Sequence, residues 1–291
     1  MLQVLLNGII VGGIYALMTV GFNLIFASVR FYHLAYGALG LFGAYFTRFF
    51  QLQFDLHFVV SMALSAAIFG FVGVFIWRVV YMPLKKRGAS SIGMIVAAFG
   101  LMIVLQNLIS LIFSPSTKSI SATRTVVEGL DVFGLKITIN QVIILAVAVI
   151  LMIAMEILLN RTKLGAGIRA VGQNKDLAKI SGIPAERVII YTFYIGTFLS
   201  VIGASLNALE IGLKPTMGLI IILKVVIAAV IGGMGSIRGA LAGGLLLGVA
   251  ENLGIFYLGG QWQDTVAFTI LILFLMFKPE GMFSTLSSRK V

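Results

Sequence analysis

The chain has 291 residues, of which 60% are hydrophobic and 11% are charged, and its mean hydropathy is +1.10. A soluble domain carries about 25% charged residues, so this composition excludes an ordinary soluble protein and indicates a polytopic membrane protein. The net charge of +11 does not indicate nucleic-acid binding, because the basic residues lie mostly between apolar runs, and the absence of cysteine excludes disulfides and thiolate metal sites.

Nine apolar segments predict helices that cross, or nearly cross, about 30 Å of hydrocarbon. In chain order they cover residues 4–27, 33–50, 58–81, 91–113, 139–158, 188–211, 218–231, 239–258 and 265–277. The seventh and ninth segments are short for a full crossing. The sequence therefore predicts an all-α protein with eight or nine transmembrane helices, arranged as a single domain over residues 1–291.

Uncharged polar residues cluster in the first two segments. Tyr15, Thr19 and Asn23 are spaced four residues apart and therefore share one helix face, and Tyr36 and Gly37 follow in the second segment. A polar stripe inside a bilayer either packs against a partner helix or lines a wet path, and the sequence leaves both interpretations open. These five residues are candidates for a translocation path.

Two ionisable residues lie inside later segments, Lys224 in the seventh and Glu251 in the eighth. Ionisable groups within membrane spans are functional candidates, because burial of an unpaired charge in lipid is costly. Lys224 either has a structural role, in an ion pair or as a side chain that extends toward the membrane surface, or it has a functional role. Glu251 either has a structural role or joins the candidate translocation path, and we include it among the path residues.

The longest polar interruption in the second half is the loop at residues 160–187, which carries six basic and two acidic residues. Asn174 or Asp176 is suited to cap a short helix over residues 177–181. Gly182 then occupies the position of a left-handed residue after a helix, and Pro184 prevents the helix from continuing. We expect one or two short helices here. The alternative is a solvated connector whose charges only orient the neighbouring spans.

The basic residues also predict the orientation of the chain. The loops around Arg30, 85–87, 161–187, Arg238 and the C-terminus, together with Arg78, hold 15 of the 21 Lys and Arg residues, and the loops on the opposite side hold five. Cytoplasmic loops are enriched in Lys and Arg, so the first set is predicted to face the cytoplasm.

Glycines are concentrated in the segment GGMGSIRGALAGG at residues 232–244. So many glycines disfavour a regular helix. We expect a break or tight turn there, with Gly232, Gly233, Gly235 and Gly239 as structural glycines. Other glycines recur four residues apart, as small residues do where membrane helices pack closely.

Motifs for nucleotide binding and hydrolysis are absent from the sequence. There is no GxxxxGK[ST], HExxH or GxSxG pattern, and the two histidines lie far apart. We therefore assign no catalytic residue and no metal site, and we expect no cofactor bound by this chain.

Three segments of the sequence resemble one family of transporters. Residues 169–183, RAVGQNKDLAKISGI, resemble the cytoplasmic coupling loop of ABC-importer permeases of the branched-chain amino acid class. Residues 12–45 resemble the first two spans of that family, and residues 232–251 resemble its glycine-rich C-terminal signature. The resemblance covers nearly the whole chain and implies the ABC-importer permease fold.

The resemblance also implies a function and a set of partners. It implies a transport subunit that is not itself an enzyme, with ATP used by cytosolic ATPase subunits that receive the loop. It further implies a second homologous permease or an identical mate, an external solute-binding protein, and location in the inner (plasma) membrane of a prokaryote. The residues implied to couple to the ATPase are Gly165, Arg169, Asn174, Asp176, Ala178, Gly182 and Ile183.

One segment departs from the family pattern. Where the family commonly has Asn-Phe-Ala-His-Gly-Glu, this chain has HLAYGA at residues 33–38. Branched-chain or other hydrophobic amino acids are the expected substrates. Urea or short-chain amides, which closely similar permeases carry, are the alternative. An ion-coupled secondary transporter or a channel, neither of which needs an ATPase, remains a further alternative.

Overall fold

Apolar α-helices make up most of the protein in the computed structural model, which describes residues 1–120, 130–132 and 135–283. They are α1 (Leu2–Val29), α2 (Ala35–Phe54), α3 (Phe58–Ile76), α4 (Met82–Lys86), α5 (Ser91–Phe113), α6 (Ile139–Arg161), α7 (Lys163–Gln173), α8 (Lys175–Ile180), α9 (Ala185–Ile211), α10 (Met217–Gly232), α11 (Ile237–Leu258) and α12 (Gln263–Phe277). Arg124, Arg289 and Lys290, which contribute to the charge count, lie outside the described residues.

Short irregular elements connect these helices. A π-helical turn (Trp77–Tyr81) makes α3 and α4 continuous, and a 3-10 turn (Gly260–Trp262) leads into α12. Two three-residue strands, β1 (Leu130–Val132) and β2 (Leu135–Ile137), pair antiparallel before α6. Apart from these strands and one isolated bridge, the described residues form an all-α protein, as predicted.

The predicted spans correspond to helices in the structure. Within the described residues, seven helical stretches are long and apolar enough to cross a membrane: Leu2–Val29, Phe58–Lys86, Ser91–Phe113, Ile139–Arg161, Ala185–Ile211, Ile237–Leu258 and Gly260–Phe277. The other two predicted spans are α2, whose polar residues and Arg48 lower its hydropathy, and α10, whose 16 residues extend only about 24 Å. The protein is thus a multi-pass membrane protein, consistent with eight or nine crossings.

Helices α1 and α9 form the centre of the bundle. Both are buried over most of their length, α1 against α9 and α11, and α9 against α1, α2 and α3. Helices α5, α6 and α12 keep most of their apolar surface exposed. This division is the one expected of a bundle whose outer helices face lipid, since lipid tails solvate apolar side chains.

Small residues allow the backbones of α1 and α11 to touch. A Cβ atom added to Gly8 would lie 2.8 Å from Cα of Val249, and one added to Gly12 would lie 2.8 Å from Cα of Leu245. Such short separations leave no room for any side chain. The spacing of small residues seen in the sequence therefore marks the contact that fixes α11 against the central helix.

Contacts between loops show which of them lie at the same end of the bundle. At one end, Arg30 donates to the carbonyl oxygen of Gly172, and Arg238 lies 3.8 Å from Glu156. At the other end, Arg48 Nε donates to the Ser119 carbonyl oxygen over 3.0 Å. This grouping agrees with the division of the loops by charge, which predicts that the first end faces the cytoplasm.

Candidate functional site

Four helical segments meet at a buried charged cluster formed by Tyr15, Lys224, Glu251, Gln263 and Asp264, here called the Glu251 cluster. The Glu251 side chain is fully buried, and its Oε1 lies 3.0 Å from Nζ of Lys224. Its Oε2 accepts hydrogen bonds from the Tyr15 hydroxyl at 2.9 Å, from Lys224 Nζ at 3.1 Å and from Gln263 Nε2 at 2.9 Å. The carboxylate therefore joins α1, α10, α11 and α12.

The surroundings of Lys224 explain why two charges are tolerated inside the bundle. Its ammonium nitrogen also lies 3.3 Å from Oδ1 of Asp264, a mostly exposed side chain, and 5.7 Å from the centre of the Tyr15 ring. Buried charges persist in proteins when they are paired and hydrogen-bonded. The structure thus places Lys224 in an ion pair and does not show it extended to the membrane surface.

The polar stripe of α1 faces the hairpin formed by α10 and α11. Thr19 Oγ1 lies 3.4 Å from the Val225 carbonyl oxygen, and Asn23 Nδ2 donates to the Ser236 carbonyl oxygen over 3.0 Å. Asn23 is buried, and its Oδ1 has no hydrogen-bond partner among the described residues. The stripe thus runs from the Glu251 cluster to the turn between α10 and α11, and it packs against neighbouring helices along the way.

Tyr36 and Gly37 are placed on a different side of α1. The Tyr36 hydroxyl donates to the Met18 carbonyl oxygen over 2.7 Å, and the Tyr36 carbonyl oxygen accepts from Ser200 Oγ over 2.9 Å. A Cβ on Gly37 would lie 3.0 Å from the backbone nitrogen of Ile222. These two residues therefore position α2 between α1, α9 and α10, and no described hydrogen bond joins them to the Glu251 cluster.

A second buried polar pair near the start of α2 was not assigned from the sequence. Nδ1 of His33 lies 2.8 Å from the hydroxyl of Tyr81, which the π-helical turn brings under α2. Both side chains are fully buried, and Nε2 of His33 has no partner in the described part of the chain. Tyr81 is far from His33 in sequence, and no local pattern indicates that a π turn would bring the two together.

The predicted break in the glycine-rich segment is present between α10 and α11. Gly233 and Gly235 have φ angles of 106° and 81°, in the region that favours glycine. Ser236 Oγ accepts from the Gly239 backbone nitrogen over 3.0 Å and caps α11. A Cβ on Gly232 would overlap the carbonyl oxygen of Gly239, so the two helix ends meet without any side chain between them.

Alanine substitutions in this turn separate two effects. Gly235→Ala meets only the Ala27 Cβ at 3.9 Å, so its expected cost is the strain of a positive φ, about 1 kcal/mol. Gly232→Ala is expected to cost several times more because backbone atoms must move. The matched control is Gly100→Ala, a helical position with no neighbour within 4 Å, which should not destabilise. Thermal unfolding of the purified protein in detergent measures this order, and equal midpoints for all three would contradict it.

The polar loop folds into two short helices, α7 and α8. Thr162 Oγ1 caps α7 by accepting from the Gly165 nitrogen over 3.1 Å. Asn174 Oδ1 caps α8 by accepting from the nitrogens of Asp176 at 2.9 Å and Leu177 at 3.1 Å. Of the two proposed caps, the structure therefore uses Asn174. The predicted helix bounds, 177–181, were wrong because α8 covers Lys175–Ile180, directly after this cap.

The end of α8 has the predicted glycine corner. Gly182 has a φ angle of 79°, and its nitrogen donates to the Lys179 carbonyl oxygen over 3.0 Å. Pro184 occupies the N-cap position of α9, and Glu186 lies in the first turn, where a negative charge favours the helix dipole. The loop is thus an ordered structure rather than a solvated connector.

Several residues chosen as coupling candidates hold this loop together from within. Gly165 is buried against the backbone of α6, where a Cβ would lie 2.5 Å from the Leu158 carbonyl oxygen. Arg169 donates to the Leu159 carbonyl oxygen, and Ala178 is buried under α8. Ile183 is partly buried against the hydrophobic core. Asn174 and Gly182 determine the ends of α8, whereas Asp176 is exposed.

Two apolar side chains on α8 are exposed and were missed in the sequence analysis. The exposed fraction is 61% for Leu177 and 83% for Ile180. They are three residues apart and therefore lie on the same helix face. The sequence does show two large apolar residues in a polar loop. From the sequence alone, however, burial of both side chains in a core explains them as well as exposure does.

Lysines surround this apolar face. Burial lowers the pKa of Lys175 from its ordinary value and the positive charge of Lys179 lowers it further, while the carboxylates of Glu186 and Asp176 act in the opposite direction. The neighbouring basic groups therefore repel each other in the free chain. Binding of a partner protein over α8 is therefore favoured if the partner's surface is negatively charged.

The chain is similar to known transport proteins over its full length. The family described as "Branched-chain amino acid transport system / permease component" matches residues 4–275. The high-affinity branched-chain amino acid transport system permease protein BraD of Pseudomonas aeruginosa is 33% identical over 305 residues, covering 100% of this chain and 98% of that protein. The corresponding protein LivH of Escherichia coli K12 is 31% identical over 303 residues, covering 100% and 97%.

A solved structure shares the fold. PsaBC from Streptococcus pneumoniae, solved in complex with Fab, has a TM-score of 0.54 and 14% sequence identity, covering 96% of this chain and 92% of that one. At this level of identity, the likeness concerns the arrangement of the helices alone.

Proposed function

The chain belongs to the family of branched-chain amino acid transport system permease components, and from this premise we propose that it is the membrane subunit of an ATP-driven importer of branched-chain or other hydrophobic amino acids. The observation that carries the proposal is the match to the family along nearly the whole chain, supported by relatives above 30% identity that it covers end to end. The chain is a transport subunit; its substrate and its use of ATP through a separate subunit are the two parts that we propose.

The exposed face of α8 supports the second part of the proposal, that energy comes from a separate ATPase. Leu177 and Ile180 present apolar surface at the end of the bundle with the basic loops. Apolar side chains exposed on a short ordered helix are suited to a groove on another protein. We propose that a cytosolic ATPase subunit covers this face and hydrolyses ATP, and that this chain itself binds no cofactor.

The remaining partners follow from the same premise. The transporter is proposed to contain a second permease, either a homologue or an identical copy, and to receive substrate from an external solute-binding protein. The location is proposed to be the inner membrane of a prokaryote, with α7 and α8 facing the cytoplasm. The candidate path residues Tyr15, Thr19, Asn23, Tyr36, Gly37 and Glu251 are proposed to lie along or beside the route of the substrate.

The alternative substrates receive no support from the comparisons. BraD and LivH, the two relatives described above, carry names that refer to branched-chain amino acids, and neither name refers to urea or amides. An ion-coupled transporter needs no ATPase, so that mechanism does not account for the ordered loop or for the exposed apolar face of α8.

Uptake of radiolabelled leucine into proteoliposomes tests the proposed function. The vesicles contain this chain with its partner subunits, and ATP is supplied on the ATPase side. We expect uptake that requires ATP and the solute-binding protein and does not change when a proton or sodium gradient is collapsed. Uptake that follows the gradient and ignores ATP would contradict the proposal, and transport of urea in place of leucine would transfer the chain to the alternative substrate class.

A further inference from the structure

A cavity lies between the coupling loop and the turn that joins α10 to α11. Its volume is about 190 Å³, and its walls come from the C-terminal end of α1, the end of α6, helix α7 and the glycine-rich turn. A buried water needs roughly 15 Å³ on this measure, so the space is large enough for a small organic molecule. It lies at the end of the bundle that carries the basic loops.

The polar side chains that line the cavity are those of Asn23, Arg30, Arg169 and Gln173. Arg30 and Arg169 line it from different helices, and no Asp or Glu is among its lining residues. Each guanidinium has five N–H donors. Asn23 also lines the cavity, and it is 1% exposed with its Oδ1 unpartnered in the described residues. That oxygen has almost no accessible surface, so the acceptor that the cavity offers is the side-chain amide oxygen of Gln173, an exposed residue that also lines it.

The rest of the wall is apolar. Leu24, Leu159 and Ile168 line the cavity together with other large hydrophobic side chains. Two guanidinium groups are suited to a carboxylate, the Gln173 amide oxygen is suited to an ammonium group, and the apolar wall is suited to an aliphatic side chain. A single zwitterionic amino acid supplies all three. A short fatty acid would leave the acceptor for the ammonium group unused, and an inorganic anion would leave the apolar wall uncovered.

We propose that this cavity is a cytoplasmic-side binding site for one free aliphatic amino acid, of the class that the transporter imports. The inference rests on the proposed function, because it takes the ligand class from the transported substrate. The cavity separates α7 from the glycine-rich turn, so an occupant ties the coupling loop to the α10–α11 hairpin. Accumulated amino acid is therefore expected to slow import from the inside.

Binding to the assembled complex without the external solute-binding protein tests the site. Radiolabelled leucine binding is measured on the complex in lipid nanodiscs, with unlabelled analogues as competitors. We expect isoleucine and valine to compete. We expect leucinamide, which lacks the carboxylate, and 4-methylpentanoate, which lacks the ammonium group, to compete at least tenfold more weakly. If both analogues compete as strongly as isoleucine and valine do, the assignment of the polar groups is overturned.

Two variants and one control assign the binding to the cavity. Ala27→Leu places extra carbon atoms in the space, and Arg30→Gln removes one cation, so each should weaken leucine binding at least tenfold. Arg87→Gln removes an exposed charge elsewhere on the same face and should leave binding unchanged. Since Arg30 also bonds to the Gly172 carbonyl oxygen, the Ala27 variant is the decisive one. Wild-type affinity in that variant would place leucine elsewhere and refute the proposal.

The effect on transport separates this inference from the proposed function. Leucine loaded with ATP into the vesicles should slow the initial rate of uptake by wild-type complexes, and this inhibition should be lost in Ala27→Leu. Normal uptake by the wild type with no inhibition from inside would refute the cytoplasmic site alone. No uptake of leucine by the wild type under any condition would refute the proposed function.

Discussion

Glu251→Ala is expected to be the most destabilising single substitution in the buried polar part of the protein. The change leaves the ammonium group of Lys224 inside the bundle with only the mostly exposed Asp264 as a counter-charge. It also removes the acceptor of the Tyr15 and Gln263 hydrogen bonds. Breaking a buried ion pair by removing one partner typically costs about 3–5 kcal/mol. Thermal unfolding in detergent and the yield of inserted protein measure the loss.

Two further variants test whether the broken ion pair is the source of this loss. The double variant Lys224→Met with Glu251→Leu removes both charges, and because apolar replacements of buried pairs are often neutral, it should recover most of the lost stability. Asp264→Asn changes a side chain that is 58% exposed, so it should cost less than about 1 kcal/mol. If the double variant is as unstable as Glu251→Ala, the unpaired charge of Lys224 does not cause the instability.

Transport by the double variant then addresses the role of Glu251 in the proposed path. A protein that is stable but does not import leucine would show that the Lys224–Glu251 pair serves transport. Import at the wild-type rate would show that the cluster serves only to join α1, α10, α11 and α12. The polar residues of α1 contact α10, α11 and the turn between them, so their positions alone do not distinguish a packing role from a transport role.

The helices could be predicted from the sequence because lipid imposes a simple length rule on apolar segments. All nine predicted spans correspond to helices, and the turn at residues 233–236 follows from the glycines that break the helix. The helix ends were less well predicted. Helix α8 begins two residues earlier than expected, because the Asn174 side chain reaches two backbone nitrogens.

The candidate sites were harder to predict because they depend on long-range contacts. The pairing of Lys224 with Glu251 could be anticipated only as an unassigned ion pair, since the sequence does not show which helices touch. The π turn that brings Tyr81 to His33 leaves no local signal. In the loop that contains α7 and α8, resemblance pointed to Arg169 and Ala178 as coupling residues, which stays a prediction; the sequence did not show that both also make contacts inside the loop.

The exposed face of α8 gives the sharpest test of how energy enters the transporter. Ile180 is 83% exposed, so Ile180→Asp removes no core contact and should change the free energy of unfolding by less than about 0.5 kcal/mol. If the ATPase covers this side chain, a buried unpaired carboxylate at the centre of a small contact should cost about 2 kcal/mol or more. We therefore expect substrate-stimulated ATP hydrolysis and ATP-driven uptake to fall at least tenfold, with insertion and thermal stability unchanged.

Ala166→Asp provides the matched control for this substitution. Ala166 is also exposed on a short helix of the same loop, but it belongs to α7, whereas Leu177 and Ile180 belong to α8. It introduces the same charge and should leave ATP hydrolysis and uptake near the wild-type level. Equal losses in both variants would indicate a general effect of negative charge at this surface. Wild-type activity of Ile180→Asp would mean that the ATPase does not use this face, whereas a stable protein that has lost only ATP-dependent activity would assign energy coupling to the exposed face of α8 at Ile180.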